Sequence, residues 1–396
     1  MPKKSPFHQR TSQFCQSMNW KDWAGYYAVV SYDTHHEQEY FAYRHAAGLM
    51  DVTPLFKYEV TGPDALRLLS RIMAKDISKV KQSQVTYCCW CDDDGKVLDD
   101  GTVTCLSQDH YRVTSAEPVL HWFHQNARSL KVTIEDSTSR FGILALQGPL
   151  SREILSHAAD GDIASLGFFR LTDSFIDKRK VTITRTGYTG DLGYEIWCEN
   201  KDALAVYDAV MESGKNYQLL PAGLAALDVA RVEAGFILNG VDYFSANHCV
   251  INSRKSTPFE LNLGWSVNLD RDSFIGQQAL KKEKKEGSLW QFVGLEYDWD
   301  AYESIFAKFD LPPQTPAGAW RTAVPVYGRN GKQIGQATSG AWSPTLKKNL
   351  ALASIRTGHF TMGDTLQIEV TAEYERKRCP VKVCKPMFFN PDRKRN

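Results

Sequence analysis

The sequence predicts an α+β chain of two or three domains, and three observations carry that prediction. Its 396 residues exceed what one ordinary hydrophobic core accommodates. From Lys57 onward, strand, helix and strand patterns alternate. Beyond residue 288, short apolar runs separated by Gly, Pro and Asn turns take over, which argues for a barrel or jelly roll.

Taken in order, Trp20, Trp23, Tyr26, Tyr27 and Tyr32 precede a helical run over Glu37–Gly48, with Gly48 placed to stop it. Phe56–Val60 is strand-like, Thr61-Gly62-Pro63-Asp64 a turn and Ala65–Ala74 a helix. Strands Val85–Trp90 and Val97–Leu106 flank the hairpin turn Asp92-Asp93-Asp94-Gly95-Lys96. Tyr111–Thr114 adds a strand, Glu117-Pro118 starts a helix through Arg128, and Val132–Glu135 is again strand-like. The unit is a small sheet with two helices on one face, ferredoxin-like in class. A second α/β unit begins near Arg140, with strands Gly142–Leu146, Val181–Arg185 and Tyr194–Cys198. Its helices are Leu150–Ala158, Asp202–Ser213 and Ala222–Ala234, the last with Leu224, Leu227, Ala230 and Val232 spaced as a buried stripe. The β-rich end holds strands Leu289–Glu296, Ala323–Tyr327, Gln333–Ala337, Leu350–Ile355, Thr365–Val370 and Val381–Lys385. Between the first two, Trp299–Thr322 carries Pro312-Pro313 and Pro316 and reads as a functional loop or a helix plus linker.

Hydrophobic content of 43% and aromatic content of 12% are those of a packed globular chain. A net charge of +1 leaves no strong field to recruit nucleic acid. Residues 375–396 hold eight Lys/Arg against two Asp/Glu, either a solvated basic tail or an attraction for a polyanionic ligand. Nine cysteines, an odd number over a long chain, make no disulfide framework. Cys88, Cys89 and Cys91 lack paired C-x-x-C spacing, and His35, His36, His121 and His124 lack a carboxylate-rich partner motif, so no metal is expected. The start, MPKKSPFHQR, has no apolar core, and no run of about 18 apolar residues occurs. A cytoplasmic protein without a membrane partner is the expectation.

Two acidic segments carry the chemistry: Val97-Leu98-Asp99-Asp100-Gly101-Thr102-Val103 and Gly187-Tyr188-Thr189-Gly190-Asp191-Leu192-Gly193-Tyr194-Glu195. Each sets a carboxylate on a strand beside a glycine. Asp99 and Asp100 are adjacent on a strand and point to opposite faces, so one can face a pocket while the other serves structure. The turn of three glycines is no phosphate loop, because no Lys-Ser/Thr follows and the next element is a strand. Its glycines permit positive φ and close approach of backbone to something flat. Glu195 then needs a partner, since an unpaired buried carboxylate is costly. Arg185 and Arg231 are the simple candidates; the amide and amino edge of a flat nitrogen heterocycle is the functional one.

Many short segments, in order, resemble the tetrahydrofolate-dependent aminomethyltransferase family, whose namesake is the T-protein of glycine cleavage. They include Arg44–Val52, Val60–Ala65, Leu146-Gln147-Gly148-Pro149, Arg185–Glu195, Pro221–Leu224 and Ala230–Gly235. Thr257-Pro258-Phe259-Glu260, Phe274-Ile275-Gly276, Ala337–Thr345 and Pro386-Met387-Phe388-Phe389 continue the series. The resemblance implies three domains around a central folate funnel. Residues 1–55 with 138–287 would form the central folate-binding domain, 56–137 the ferredoxin-like lobe and 288–396 the C-terminal β-barrel. It also implies Asp100 as the catalytic carboxylate, Glu195 as the pterin-binding glutamate, and Tyr87 and Tyr188 as aromatic lining of the folate site. Ser115, which stands where the family has Asn, and Trp342, in the matched Ala337–Thr345 segment, are further folate-site candidates.

The chain departs from the T-protein pattern at five points. Thr53-Pro54-Leu55 replaces Ser-His-Met, Ser115-Ala116 replaces Asn-Ala, and Leu227-Asp228 replaces Arg-Asp. Ala24-Gly25-Tyr26-Tyr27 stands in place of Trp-x-Met-Pro, and Trp299–Thr322 reads as an insertion. These bear on the donor and its carrier more than on the folate cradle. Three readings follow: aminomethyl transfer from a lipoyl carrier protein, demethylation of a small sulfonium, amine or methoxyaromatic donor to 5-methyl-tetrahydrofolate, and a non-catalytic folate-binding assembly factor. Asp100 argues against the third. The resemblance favours the first; Ser115, Leu227 and the insertion favour the second.

Overall fold

A computed structural model describes residues 1–396 and holds three large sheets. The central sheet runs Leu171–Ile176, Arg179–Thr184, Gly193–Glu199, Phe141–Gln147, Ala47–Asp51, Leu219–Pro221, and only its last pair is parallel. Its core packs beneath helices Ser151–Ala158 and Ala203–Gly214. A five-stranded sheet lies wholly within residues 56–136, in the order Gln84–Cys91, Val97–Ser107, His110–Ser115, Phe56–Thr61, Thr133–Asp136. Helices Ala65–Ile72 and Leu120–Asn126 share one core with it, through Leu68, Leu69, Ile72 and Phe123. The six strands Trp290–Tyr297, Lys348–Arg356, Gln333–Ser343, Val324–Tyr327, Thr365–Ala372 and Glu375–Cys384 close into a barrel.

Each barrel strand overlaps a predicted run, but Gln333–Ser343 extends six residues beyond Ala337 and Glu375–Cys384 starts six residues before Val381. Trp299–Thr322 resolves into a helix, Trp299–Ala307, capped by the Asp298 carboxylate on Ala301 N–H (3.0 Å), followed by an irregular arm. No helix is long and apolar enough to cross a membrane.

Two expectations need correction. The helix predicted over Glu37–Gly48 ends at His45, and Ala47–Asp51 is a strand whose residues are buried between two neighbours. Gly48 therefore stops no helix; it sits in the sheet because a Cβ there would lie 2.6 Å from the Tyr43 ring. Helix Leu224–Ala234 is not a one-sided stripe either. Every residue from Asp228 to Ala234 is buried, with Leu224 and Leu227 only partly covered. The reason is position: the helix runs between strand Tyr26–Ser31, helix Glu37–His45 and the barrel.

Charges buried in such a helix must be paired. Glu233 takes both Arg44 Nε (2.9 Å) and Nη2 (2.6 Å) on Oε2, while Tyr40 and Ser343 hydroxyls donate to Oε1. Arg44 also donates to Thr189 O (3.0 Å). Helix Glu37–His45, helix Leu224–Ala234, barrel strand Gln333–Ser343 and the glycine turn thus meet at one ion pair. Replacing Glu233→Gln leaves the buried Arg44 guanidinium with Asp191, 3.7 Å away, as its remaining counter-charge, which is expected to lower the unfolding free energy by about 3 kcal/mol, the low end of the cost of breaking a buried pair. Denaturant titration checks this; a loss under about 1 kcal/mol would contradict the hub.

Candidate active site

The turn Asp92–Lys96 joins strands Gln84–Cys91 and Val97–Ser107, and their register sets Asp99 opposite Trp90 and Asp100 opposite Cys89. Trp90 belongs to the lobe core and Cys89 to the core between helix Leu224–Ala234 and the barrel, so the two carboxylates start from opposite faces. Asp99 is fully buried and held by chain groups: Asp100 N–H and Glu117 N–H donate to it at 2.9 Å each, and Asn239 Nδ2 at 3.1 Å. Asp100 is half-buried, and the side-chain groups that donate to it are hydroxyls. Tyr87 OH donates to Oδ2 at 2.7 Å and Tyr243 OH to Oδ1. The Tyr243 oxygen also lies 3.4 Å from Asp99 Oδ1, so one phenol spans the pair.

Electrostatics follow from this burial. Desolvation, with the Asp100 charge added, pushes Asp99 up to about 7, against the pull of the two N–H groups and Asn239. Desolvation also raises Asp100, and its two tyrosine hydroxyls oppose that rise. Tyr87 and Tyr243 are themselves driven well above the usual phenol range, first by burial and then by the Asp100 charge, so both remain donors. Two like-charged neighbours in a dry place hold less than two charges at neutral pH.

Facing aromatics surround the pair. Tyr87 stacks on Trp265 (5.9 Å between ring centres, 22°), which is 65% exposed and has Lys75 Nζ 5.0 Å from its ring centre. Tyr188 lies 5.5 Å from Phe236 and its hydroxyl donates to Ile237 O.

Glu195 is half-buried at the start of strand Gly193–Glu199. Thr186 Oγ1 (2.8 Å) and Thr184 Oγ1 (3.4 Å) both donate to Oε2. Neither arginine considered from sequence takes it: Arg185 donates to Leu166 O (3.0 Å), and Arg231 binds Asp228 (2.8 Å) and Asp242 (2.7 Å). Burial raises the carboxyl, the threonine hydroxyls lowering it only in part. Among the glycines, only Gly190 needs a positive φ (+78°). The flat group approached by Gly187 and Gly193 is the chain's own Gln147 amide, whose atoms would lie 1.9 Å and 2.3 Å from added Cβ atoms. That amide donates to Thr186 O (3.1 Å) and Tyr194 O (3.3 Å), which makes it the template for the turn. From the basic C-terminal stretch, Arg393 grips Asp191 of the same turn with two hydrogen bonds (2.7 and 2.8 Å).

The structure thus joins Tyr87 to Asp100 by a hydrogen bond, sets Tyr188 where the Asp100 charge is felt, and holds Glu195 on the strand that follows the glycine turn. Ser115 is turned to a local task, its hydroxyl donating to Glu117 O at 2.6 Å. Trp342 lies against Trp299 (5.2 Å between ring centres), on the strand face opposite Ala341 and Ser343, which look to the centre. Sequence reasoning missed Tyr243, Asn239, Trp265 and Phe236. Its one usable signal was Asn239-Gly240-Val241-Asp242-Tyr243, just beyond the matched Ala230–Gly235 segment, where Gly240 (φ +80°) bends Asn239 and Tyr243 together. Beside Leu227, Arg321, at the end of the Trp299–Thr322 arm, donates to Asp228 Oδ2 at 2.8 Å.

Residues 7–271 match the GCVT N-terminal domain family, and residues 308–390 the glycine cleavage T-protein C-terminal barrel domain. An aminomethyltransferase of Halothermothrix orenii is 36% identical over 84% of this chain and 87% of its own length. One from a Geobacillus species is 34% identical over 93% and 94%. A trimethylamine-oxide aldolase of Ruegeria pomeroyi is 32% identical over 100% of this chain, which spans 48% of that protein. Among solved structures, glycine cleavage system aminomethyltransferase T from Bartonella henselae superposes with a TM-score of 0.82 at 23% identity, covering 98% of this chain and 99% of that one, a likeness of fold.

The carboxyl pair makes stability depend on pH. Because its folded proton affinity exceeds that of an unfolded aspartate, the folded chain binds more protons between the two values, and stability falls as pH rises from about 4 to about 7. Asp100→Asn removes the like charge and should flatten that slope. Unfolding free energies of parent and variant across this range check it; parallel slopes would contradict the coupling.

Proposed function

Because the chain belongs to the glycine cleavage T-protein (aminomethyltransferase) family, we propose that it is a tetrahydrofolate-dependent one-carbon transferase of the aminomethyltransferase type. The observation that carries this reading is Asp100, a desolvated carboxylate presented by tyrosine hydroxyls with no cation bound to it. Tetrahydrofolate, when bound, supplies the nitrogen that takes up the one-carbon unit. Asp100 orients that amine and sets its protonation, as general base or by charge. Tyr243 positions Asp100, and Asp99, braced by backbone N–H groups, keeps the strand end rigid.

Glu195 fits the amide and amino edge of a pterin, since its two threonine donors share one oxygen and no arginine claims it. Tyr87 and Tyr188 offer ring surfaces for the heterocycle. Ser115, whose hydroxyl donates to Glu117 O, and Trp342, packed against Trp299, are secondary candidates for folate contact.

For the donor, the aminomethyltransferase relatives support an aminomethyl group on a lipoyl carrier protein, with ammonia leaving. A small methylated donor is the second reading, supported by the inserted arm and by the trimethylamine-oxide aldolase relative. Leu227 also favours it, since the guanidinium that does come near, Arg321, is itself paired with Asp228.

Mass spectrometry of folate products separates these readings. Tetrahydrofolate with an aminomethylated lipoyl carrier should give 5,10-methylene-tetrahydrofolate and ammonia. Production of 5-methyl-tetrahydrofolate from a methylated small molecule would select the second reading, and no product from any donor would overturn both. Asp100→Asn should cut turnover at least about 100-fold while folate affinity stays nearly constant. Glu195→Ala should weaken folate binding by about 1–3 kcal/mol, and unchanged affinity would reject the anchor. Tyr243→Phe removes a donor that favours the ionised Asp100, so the acid limb of the pH–rate profile should move to higher pH; an unmoved limb would deny Tyr243 its positioning role.

A further inference from the structure

A cavity of ≈ 350 Å³ opens between residues 241–256 and the barrel strands Gln333–Ser343 and Lys348–Arg356. Three cations line it: Arg254, Lys255 and Arg356. Arg254 and Arg356 are exposed and Lys255 is half-buried, so all three are open to a ligand. None of the three is in an ion pair. Arg254 instead lies over the Phe244 ring, 4.9 Å from its centre, and Arg356 over the Trp290 ring at 5.9 Å, both rings belonging to the lining. The single carboxylate in the lining, Asp242, is already satisfied. Arg231 Nη1 (2.7 Å) and Leu238 N–H (3.0 Å) donate to one of its oxygens, and the Thr338 and Ser339 hydroxyls to the other. Asp92, outside the lining, feels the Lys255 charge without pairing with it.

A chain whose net charge is only +1 thus gathers three uncompensated cations around one hollow. A concave wall of one sign concentrates counter-ions, and guanidinium forks match the paired oxygens of phosphate and carboxylate groups. One small monovalent ion cannot meet three separate cations, whereas a ligand with charge spread over several oxygens can. The hydroxyls of Ser253, Ser256 and Ser354, also in the lining, add neutral donors for such oxygens.

We propose that this cavity binds a small, multiply charged oxyanion, a polyphosphate or a polycarboxylate, held by the Arg254 and Arg356 guanidinium groups and the Lys255 ammonium. The site does not depend on folate chemistry. Its link to the candidate active site is Tyr243, which lines the cavity and whose hydroxyl donates to Asp100.

Calorimetric titration of the full chain with sodium pyrophosphate at low ionic strength tests this, with citrate as the carboxylate probe and acetate as the monovalent control. One saturable site is expected, weakening as sodium chloride is added, with acetate at least about tenfold weaker. The tighter of pyrophosphate and citrate tells which charged group the ligand carries. Arg254→Gln and Arg356→Gln, both at exposed positions, should each weaken pyrophosphate about fivefold or more. Lys282→Gln removes the same charge from an exposed position on helix Gln277–Glu286, outside the cavity, and should stay within about twofold of the parent. Circular dichroism checks that each variant folds. No saturable binding of either polyanion, acetate binding as tightly, or equal losses in Lys282→Gln and the two cavity variants would each overturn the proposal.

Discussion

The buried pair of Arg44 and Glu233 is the contact on which the rest of the architecture depends. Both side chains are fully buried, so each would be prohibitive alone. Hydroxyls from Tyr40 and Ser343 donate to Glu233 and carbonyls of Thr189 and Ala230 accept from Arg44, whose Nη1 has no hydrogen-bond partner and faces Asp191 at 3.7 Å. The backbone joins in, Phe388 and Phe389 N–H groups donating to Glu233 O at 2.9 and 2.8 Å. Such a pair adds little net stability over an apolar core, but it admits one arrangement of its partners. That arrangement fixes the glycine turn, and through it Glu195, against the helix and the barrel.

Two residues earlier on the same helix, Arg231 performs the matching task on the other side. It binds Asp228 and Asp242, and Asp242 takes the hydroxyls of Thr338 and Ser339 from the barrel. Tyr243 follows Asp242 directly and reaches Asp100. One helix therefore holds both halves of the candidate site, with Glu233 steadying the turn before Glu195 and Arg231 steadying the tyrosine that addresses Asp100. The two carboxylates are kept without cations because every nearby guanidinium is committed to another partner.

Much of this was legible in the chain and some was not. Strand Thr365–Ala372 is legible because it has one buried and one more open face, with Leu366, Ile368 and Ala372 buried and Thr365 and Thr371 exposed. Ala47–Asp51 is covered on both faces and lost that alternation, so its glycine was read as a helix stop. Asp100 and Glu195 stood out as carboxylates beside glycines in strand-forming text, and Tyr87 and Tyr188 through the family resemblance. Tyr243 and Trp265 had no periodicity to mark them, since both sit in irregular chain that only tertiary packing brings to the lobe. The glycine pattern was noticed, but its partner was Gln147, distant in sequence and invisible to any local rule.

The central claim is that one cradle, with Asp100 at the reacting amine and Glu195 at the pterin edge, holds tetrahydrofolate. A crystal structure of the protein with tetrahydrofolate tests it most directly. The account predicts the pterin edge hydrogen-bonded to Glu195, its rings against Tyr87 and Tyr188, and an amine nitrogen of the reduced ring within hydrogen-bond reach of Asp100. A pterin seated elsewhere, or one whose polar edge meets neither carboxylate, would contradict it.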